Sequence, residues 1–301
     1  MTEMNKYILK KSPKTRVLNF FRRLFFTNQP MEKFLIKRII RSEPNSIWTK
    51  FVPPNYLYPL KTIRTGSRDN INYTFDISNF VDHFIYFGYK EGLFDPVKED
   101  ILKSKAIFDI GANIGWSAMY FSGLNQEARI YAFEPHPRTF ERAQGNFKLN
   151  NFPNVSFFQL GLGNKPDAVK LFEVDVHNPG MNRIIPGSQD EFPYVTITID
   201  TIDNFVATQK IERIDFIKID VEGFEFNVLQ GGRKTLQEQR PVLFIELDDN
   251  NLRENNSSAF ELINLLFSYG YQTIYRADTY VPVSVNTDFT SCHFDIVVKG
   301  E

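Results

Sequence analysis

The sequence has one cysteine, Cys292, so no disulfide framework can form and a reducing compartment is the expectation. It has no run of about 18 consecutive apolar residues, which excludes a conventional spanning helix. The opening MTEMNKYILKK has none of the features of a signal peptide, so a cytoplasmic protein is expected. Its four histidines are too scattered for a metal pattern, and no zinc spacing or RNA-reading signature accompanies its basic residues. Nucleic acid is therefore not an expected partner.

What is present is enough apolar material for a full core, 42% of 301 residues, and a charge balance that hides an asymmetry behind a net of -1. Residues 1–64 carry 14 Lys/Arg against 3 Asp/Glu, whereas residues 65–301 carry 21 against 33. Two segments of different character are joined. The basic one contains KTRVLNFFRRLFF (Lys14–Phe26) and MEKFLIKRIIR (Met31–Arg41), both with apolar residues at helical spacing. A helical extension over 1–64 is expected, packing its Phe and Ile against protein or lying peripherally on an anionic membrane face. A lead-in over 65–104 and a main domain over 105–301 complete the expected organisation.

From Lys105 onward, apolar runs alternate with helical ones. AIFDIG (Ala106–Gly111), RIYAFE (Arg129–Glu134), VSFFQLG (Val155–Gly161), IDFIKID (Ile214–Asp220) and VLFIEL (Val242–Leu247) read as strands buried on both faces. Helices are expected over 114–124, 137–150, 222–239 and 257–269, which makes an α/β fold with an open parallel sheet covered on both sides. VKLFEV and YVTITI read as an inserted hairpin, with the loop Asn178–Arg183 as the expected acceptor contact. YQTIYR and HFDIVVK read as an antiparallel pair at one edge.

Ligands of such sheets bind beyond the carboxyl ends of the strands, where the strand order reverses. Those ends carry Asp109, Glu134, Gly161, Asp220 and Glu246. The first turn, Gly111-Ala112-Asn113-Ile114-Gly115, has G-x-x-x-G spacing rather than the G-x-G-x-x-G of a pyrophosphate cradle. Asp109 would repel a pyrophosphate and attract an ammonium group. Glu134 follows Gly111 by 23 residues, at the position where an acid takes a ribose hydroxyl pair. An adenosine with a positively charged tail, S-adenosylmethionine, satisfies both. A nicotinamide dinucleotide fits less well, and a non-catalytic scaffold would have no need of these residues.

FDIGANIGWSAMYF, YAFEPHPRTFERAQGNFKLN, LGLGN, VTITIDTIDNF, IDFIKIDVEGFEFNVLQGG and PVLFIEL resemble, in order and spacing, the signatures of the FkbM-type methyltransferases. The resemblance runs from about Phe87 to the C-terminus, and KIDVEGFE followed by VLQGG is its most specific part. It implies a class I methyltransferase (Rossmann-like) fold with a mostly parallel seven-stranded sheet. It also implies S-adenosylmethionine as donor and an oxygen acceptor, often a sugar hydroxyl in a glycan or natural product. Donor contacts are expected from Asp109, Gly111, Ala112, Asn113, Gly115, Glu134, Pro135, Gly161 and Leu162, with Tyr89 and Glu91 closing from the lead-in FGYKEGLFDP.

An alcohol is a poor nucleophile and requires a base or a metal ion. Three readings of the fourth strand end stand open. Asp220 and Glu246 could share Mg²⁺ near Asp248 or Asp249. Alternatively, Asp220 or Glu222 is the base, with Lys218 holding the carboxylate. In the third reading, Asp220 caps the next helix and Glu222 favours its N-terminus.

Overall fold

The computed structural model describes residues 12–41, 46–88, 92–185 and 192–300. They form two compact units, one comprising Met1–Leu93 with Asp175–Gly180 and the other Phe94–Val174 with Met181–Glu301.

In the smaller unit, α1 (Pro13–Phe26) starts at Ser12, whose side chain accepts from the Thr15 amide. α2 (Gln29–Ile39) starts at Asn28, which accepts from the Met31 amide. Both helices carry proline in the first turn, where its missing N–H costs nothing. Strands β1 (Ile63–Arg68) and β2 (Ile71–Asp76) pair with Arg68 opposite Ile71. The two-residue turn is Asp69-Asn70, both at positive φ, which matches the twist of a hairpin. Then comes α3 (Phe80–Tyr86). The expected boundary after residue 64 would cut β1 in two, so the structure draws the division at Leu93. Glu32 explains why the basic region belongs to this unit. Fully buried, it accepts Arg64 Nε and Nη2 at 2.7 and 3.0 Å and the Tyr86 hydroxyl at 3.3 Å, tying α2 to β1 and α3.

The larger unit runs α4 (Lys98–Lys103), β3 (Ala106–Ile110), α5 (Trp116–Leu124), β4 (Arg129–Phe133), α6 (Pro137–Lys148) and β5 (Val155–Phe158). β6 (Gly161–Leu162), β7 (Asp167–Phe172) and β8 (Tyr194–Asp200) follow, then α7 (Ile202–Gln209), β9 (Phe216–Ile219), α8 (Glu225–Gly231) and α9 (Arg233–Gln239). The chain ends through β10 (Val242–Asp248), α10 (Asp249–Glu254), α11 (Ala259–Ser268), β11 (Thr273–Arg276) and β12 (His293–Lys299).

Among the described residues, seven strands form one sheet in the order β11-β12-β10-β9-β3-β4-β5. All pairs are parallel except the two made by β12. This is the doubly wound class I topology, and the order reverses between β3 and β9. Every residue of these two strands is buried, as their unbroken apolar runs require. The inserted hairpin is a separate sheet, β6-β8-β7. The expected third strand therefore stops at Phe158, and Gly161 starts the insertion.

The helix expected over 222–239 is broken into α8 and α9 at Gly232. A Cβ on Gly231 would lie 1.9 Å from the Gly163 carbonyl oxygen, so only glycine allows α8 to meet the turn after β6. The VLQGG motif is thus a backbone contact. No helix among the described residues is long and apolar enough to cross a membrane.

Candidate functional site

The strand-end acids meet where the sheet order reverses. Asp109, completely buried near the end of β3, accepts the Ser117 hydroxyl at 2.5 Å and lies 3.5 Å from Lys218 Nζ. The Asp109 Oδ1 oxygen of that ion pair has no hydrogen-bond partner among the described residues. Lys218, on β9, also reaches Asp220 at 3.2 Å and donates to the Gly111 carbonyl at 2.8 Å. Burial pushes the Lys218 pKa down, but Asp220 and Asp109 outweigh it and hold the ammonium charged. Burial raises Asp109 while Lys218 and Ser117 pull it back. The cation expected beside Asp109 is thus already supplied from within the fold.

Gly111 turns at φ +80, and a Cβ there would sit 1.8 Å from the Asp220 carbonyl oxygen. That contact brings the first turn and the end of β9 together. The Gly111 and Ala112 amides both donate to the Phe133 carbonyl, which lays the turn over the tip of β4. Asn113, in the left-handed region, aims its amide at Glu134 Oε2 at 3.0 Å, while the His136 amide donates to Oε1 at 2.9 Å. Gly115 is packed against Phe147, with 2.7 Å between that ring and an added Cβ. Glu134 is pushed up to about 7 by burial, against the pull of these two amides. Each carboxylate oxygen keeps a further lone pair for a ligand hydroxyl.

Pro135 packs close to Gly161, whose own added Cβ would lie 2.6 Å from Ile199 Cδ1, and Leu162 is buried in the core. For Pro135, Gly161 and Leu162 the structure shows packing. Tyr89 and Glu91 lie outside the described residues.

Asp220 and Glu222, just beyond β9, and Glu246 on β10 offer one carboxylate oxygen each, all within 4.8 Å of one another. Asp220 opens to solvent with 38% of its side chain exposed, against 20% for Glu246. Burial first, then Asp220 and Glu225, push Glu222 up to about 8. Burial and the charges of Asp220 and Glu222 carry Glu246 well above the carboxylate range. Glu222 sits at φ 53 and is followed by Gly223 at φ 97. Asn251 donates to Glu222 Oε2 at 3.1 Å, and Arg183 Nη1 donates to Asn251 Oδ1 at 3.0 Å.

Asp220 does not occupy the N-cap position of the next helix. Phe224 is the N-cap of α8 and makes no side-chain cap bond, and Glu225 Oε1 takes the Val221 and Gly223 amides at 3.0 and 3.1 Å. Asp248 and Asp249 are committed elsewhere. Asp248 accepts the Asn250 and Asn251 amides and contacts His293 Nδ1, whereas Asp249 holds Arg253 and the Ala259 amide.

Sequence reasoning missed Ser117, Glu225, Asn251 and the placement of Arg183. Ser117 and Glu225 stand inside quoted motifs and were legible as polar residues next to a strand end. Asn251 reaches the site from α10 and carried no local signal.

The profile of the methyltransferase FkbM domain matches residues 109–273. The chain is 26% identical over 176 residues to the 2-O-methyltransferase NoeI of Sinorhizobium fredii, covering 54% of this chain and 71% of that protein. It is 28% identical over 142 residues to the hexuronic acid methyltransferase AglP of Haloferax volcanii, covering 46% and 54%. Methyltransferase 1 of Beauveria bassiana is 30% identical over 142 residues, and the chain spans only 57% of its length. A crystal structure of methyltransferase FkbM from Methylobacillus flagellatus aligns over 89% of this chain and 58% of its own, at 18% identity and a TM-score of 0.44. Because the matched profile takes in more than half of the residues and includes every strand-end acid described above, the chain belongs to the methyltransferase FkbM family.

Proposed function

We propose that this chain transfers the methyl group of S-adenosylmethionine to a hydroxyl of a sugar or a related natural product. The observation that carries the reading is Glu134, whose two oxygens are fixed by the Asn113 and His136 amides beside a glycine turn that admits no side chain. That arrangement fits an adenosine ribose. The names of two relatives, a 2-O-methyltransferase and a hexuronic acid methyltransferase, favour a sugar acceptor.

When bound, S-adenosylmethionine supplies an electrophilic S-methyl group. The chain's residues do the rest. Glu134 accepts the ribose hydroxyls, while Lys218 neutralises Asp109 beneath the turn and steadies Asp220. As the acceptor oxygen bonds to the methyl carbon, the carbon–sulfur bond breaks with its electron pair leaving on sulfur, and the single hydroxyl proton passes to one carboxylate of the group Asp220, Glu222 and Glu246. A carboxylate raised to about 8 is a far stronger base than an ordinary one. Asn251, itself held by Arg183, fixes the orientation of Glu222.

The spacing of the same three oxygens favours one further reading, in which they hold Mg²⁺ and the ion polarises the hydroxyl. Titration calorimetry with S-adenosylmethionine, S-adenosylhomocysteine and NAD tests the donor. Binding of the first two and not of NAD is expected, and failure of S-adenosylmethionine to bind overturns the reading. Turnover that survives EDTA identifies the carboxylate mechanism, whereas loss with EDTA and recovery with Mg²⁺ identifies the metal one.

A further inference from the structure

Helix α1 is built inside out. Its buried residue is a polar one, Asn19, whose side chain donates to the Tyr56 hydroxyl at 3.0 Å and accepts from Arg22 Nη1 at 2.9 Å. Arg22 also gives Nε and Nη2 to the Lys50 carbonyl at 3.0 and 2.6 Å. The polar side of α1 is therefore tied to its own unit.

Its apolar side faces out. Phe20 is 64% exposed, Leu24 60%, Val17 59%, Phe25 52%, Phe21 49% and Leu18 37%. At about 100° per residue these six lie within an arc of roughly 160°. Phe21 stacks on Phe25 with centroids 6.4 Å apart and meets Phe20 edge-on at 5.7 Å, so the outward face is a preformed aromatic surface. A helix whose hydrophobic side served its own core would point the other way.

The charge around this face selects its occupant. Lys14, Arg16 and Arg23 are exposed on the helix, and no acid occurs between Ser12 and Met31. A second copy would bring like charge against like charge, which disfavours self-association through this face. An anionic bilayer offers the opposite charge at its surface and an apolar interior behind it. We propose that α1 docks this unit on an anionic lipid surface, with its Phe and Leu side chains entering about 5–10 Å into the headgroup boundary. This inference is independent of the donor and acceptor assigned above.

The test is co-sedimentation of the full chain with vesicles of phosphatidylcholine alone and of phosphatidylcholine containing about one-third phosphatidylglycerol. Binding is expected only to the second, and it should weaken as the screening length shortens from about 10 Å at 0.1 M salt to about 3 Å at 1 M. Arg16→Gln with Arg23→Gln should lower the partition coefficient about 25-fold, at roughly 1 kcal/mol per cation. Phe20→Ser with Leu24→Ser should abolish binding. All four side chains are exposed, and an unchanged melting curve verifies that each variant is folded. Absence of binding, or binding indifferent to lipid charge and to both variants, overturns the proposal. So does a dimer in sedimentation velocity that Phe20→Ser with Leu24→Ser converts to monomer, since a second copy then covers the face.

Discussion

Replacing Lys218 by Met removes the one ammonium that stands between Asp109 and Asp220 while keeping most of the side-chain volume. Only 7% of the Lys218 side chain and none of Asp109 is exposed, so Asp109 would be left as a buried carboxylate with Ser117 as its remaining hydrogen-bond donor. Breaking a buried pair by removing one partner costs about 3–5 kcal/mol, a large part of the roughly 5–15 kcal/mol that holds a domain together. The cost must depend on pH. Asp109 already titrates above its ordinary value of 3.8, and without Lys218 it rises further. A carboxyl with a raised folded pKa keeps its contribution to stability below the unfolded pKa and loses it as pH rises through the folded one. Lys218→Met is therefore expected to be least harmful in acid and most harmful near pH 8. Adding Asp109→Asn, which removes the buried charge, should restore about half of the loss or more. Urea denaturation followed by circular dichroism at several pH values measures all of this. A deficit that is the same at every pH, or a double variant no better than the single, would refute the charged pair as the organising contact of the site.

Glu134→Ala is expected to weaken S-adenosylmethionine binding by about 1–3 kcal/mol in calorimetry, the worth of lost charge-assisted hydrogen bonds, and unchanged affinity removes Glu134 from the donor site. Methyl transfer by the wild type should rise with pH through about 8 as Glu222 gives up its proton, and Glu222→Gln should flatten that limb. Because burial and repulsion from neighbouring acids raise the pKa values of Glu222 and Glu246, their contribution to stability is present below the ordinary glutamate value of 4.5 and lost as pH rises through the folded values. Glu246→Gln should then raise the melting temperature near pH 8 but not near pH 4, and a loss of stability at pH 8 would contradict the repulsion.

The sheet was legible because strands buried on both faces need unbroken apolar runs, and the four strand-end acids followed from where those runs stop. The antiparallel pairing of β11 with β12 was also legible, although β12 proves to lie between β10 and β11. Other features depended on contacts between distant residues. Periodicity identified α1 as amphipathic, but it says nothing of which side faces inward, and that was decided by Asn19, Tyr56 and Lys50. The break at Gly232 depends on the meeting of Gly231 with Gly163, 68 positions earlier. α7 was passed over even though Thr201, which accepts from the Asn204 amide, is an ordinary N-cap.

The close approach of Gly231 to Gly163 makes LGLGN and VLQGG two halves of one hinge pin. No side chain separates the two glycines, so the turn after β6 meets α8 backbone to backbone, and neither half can be adjusted without the other. Anyone recombining the inserted sheet between family members would have to exchange the two glycines as a pair, and to keep Arg183 of the loop between β7 and β8 against Asn251.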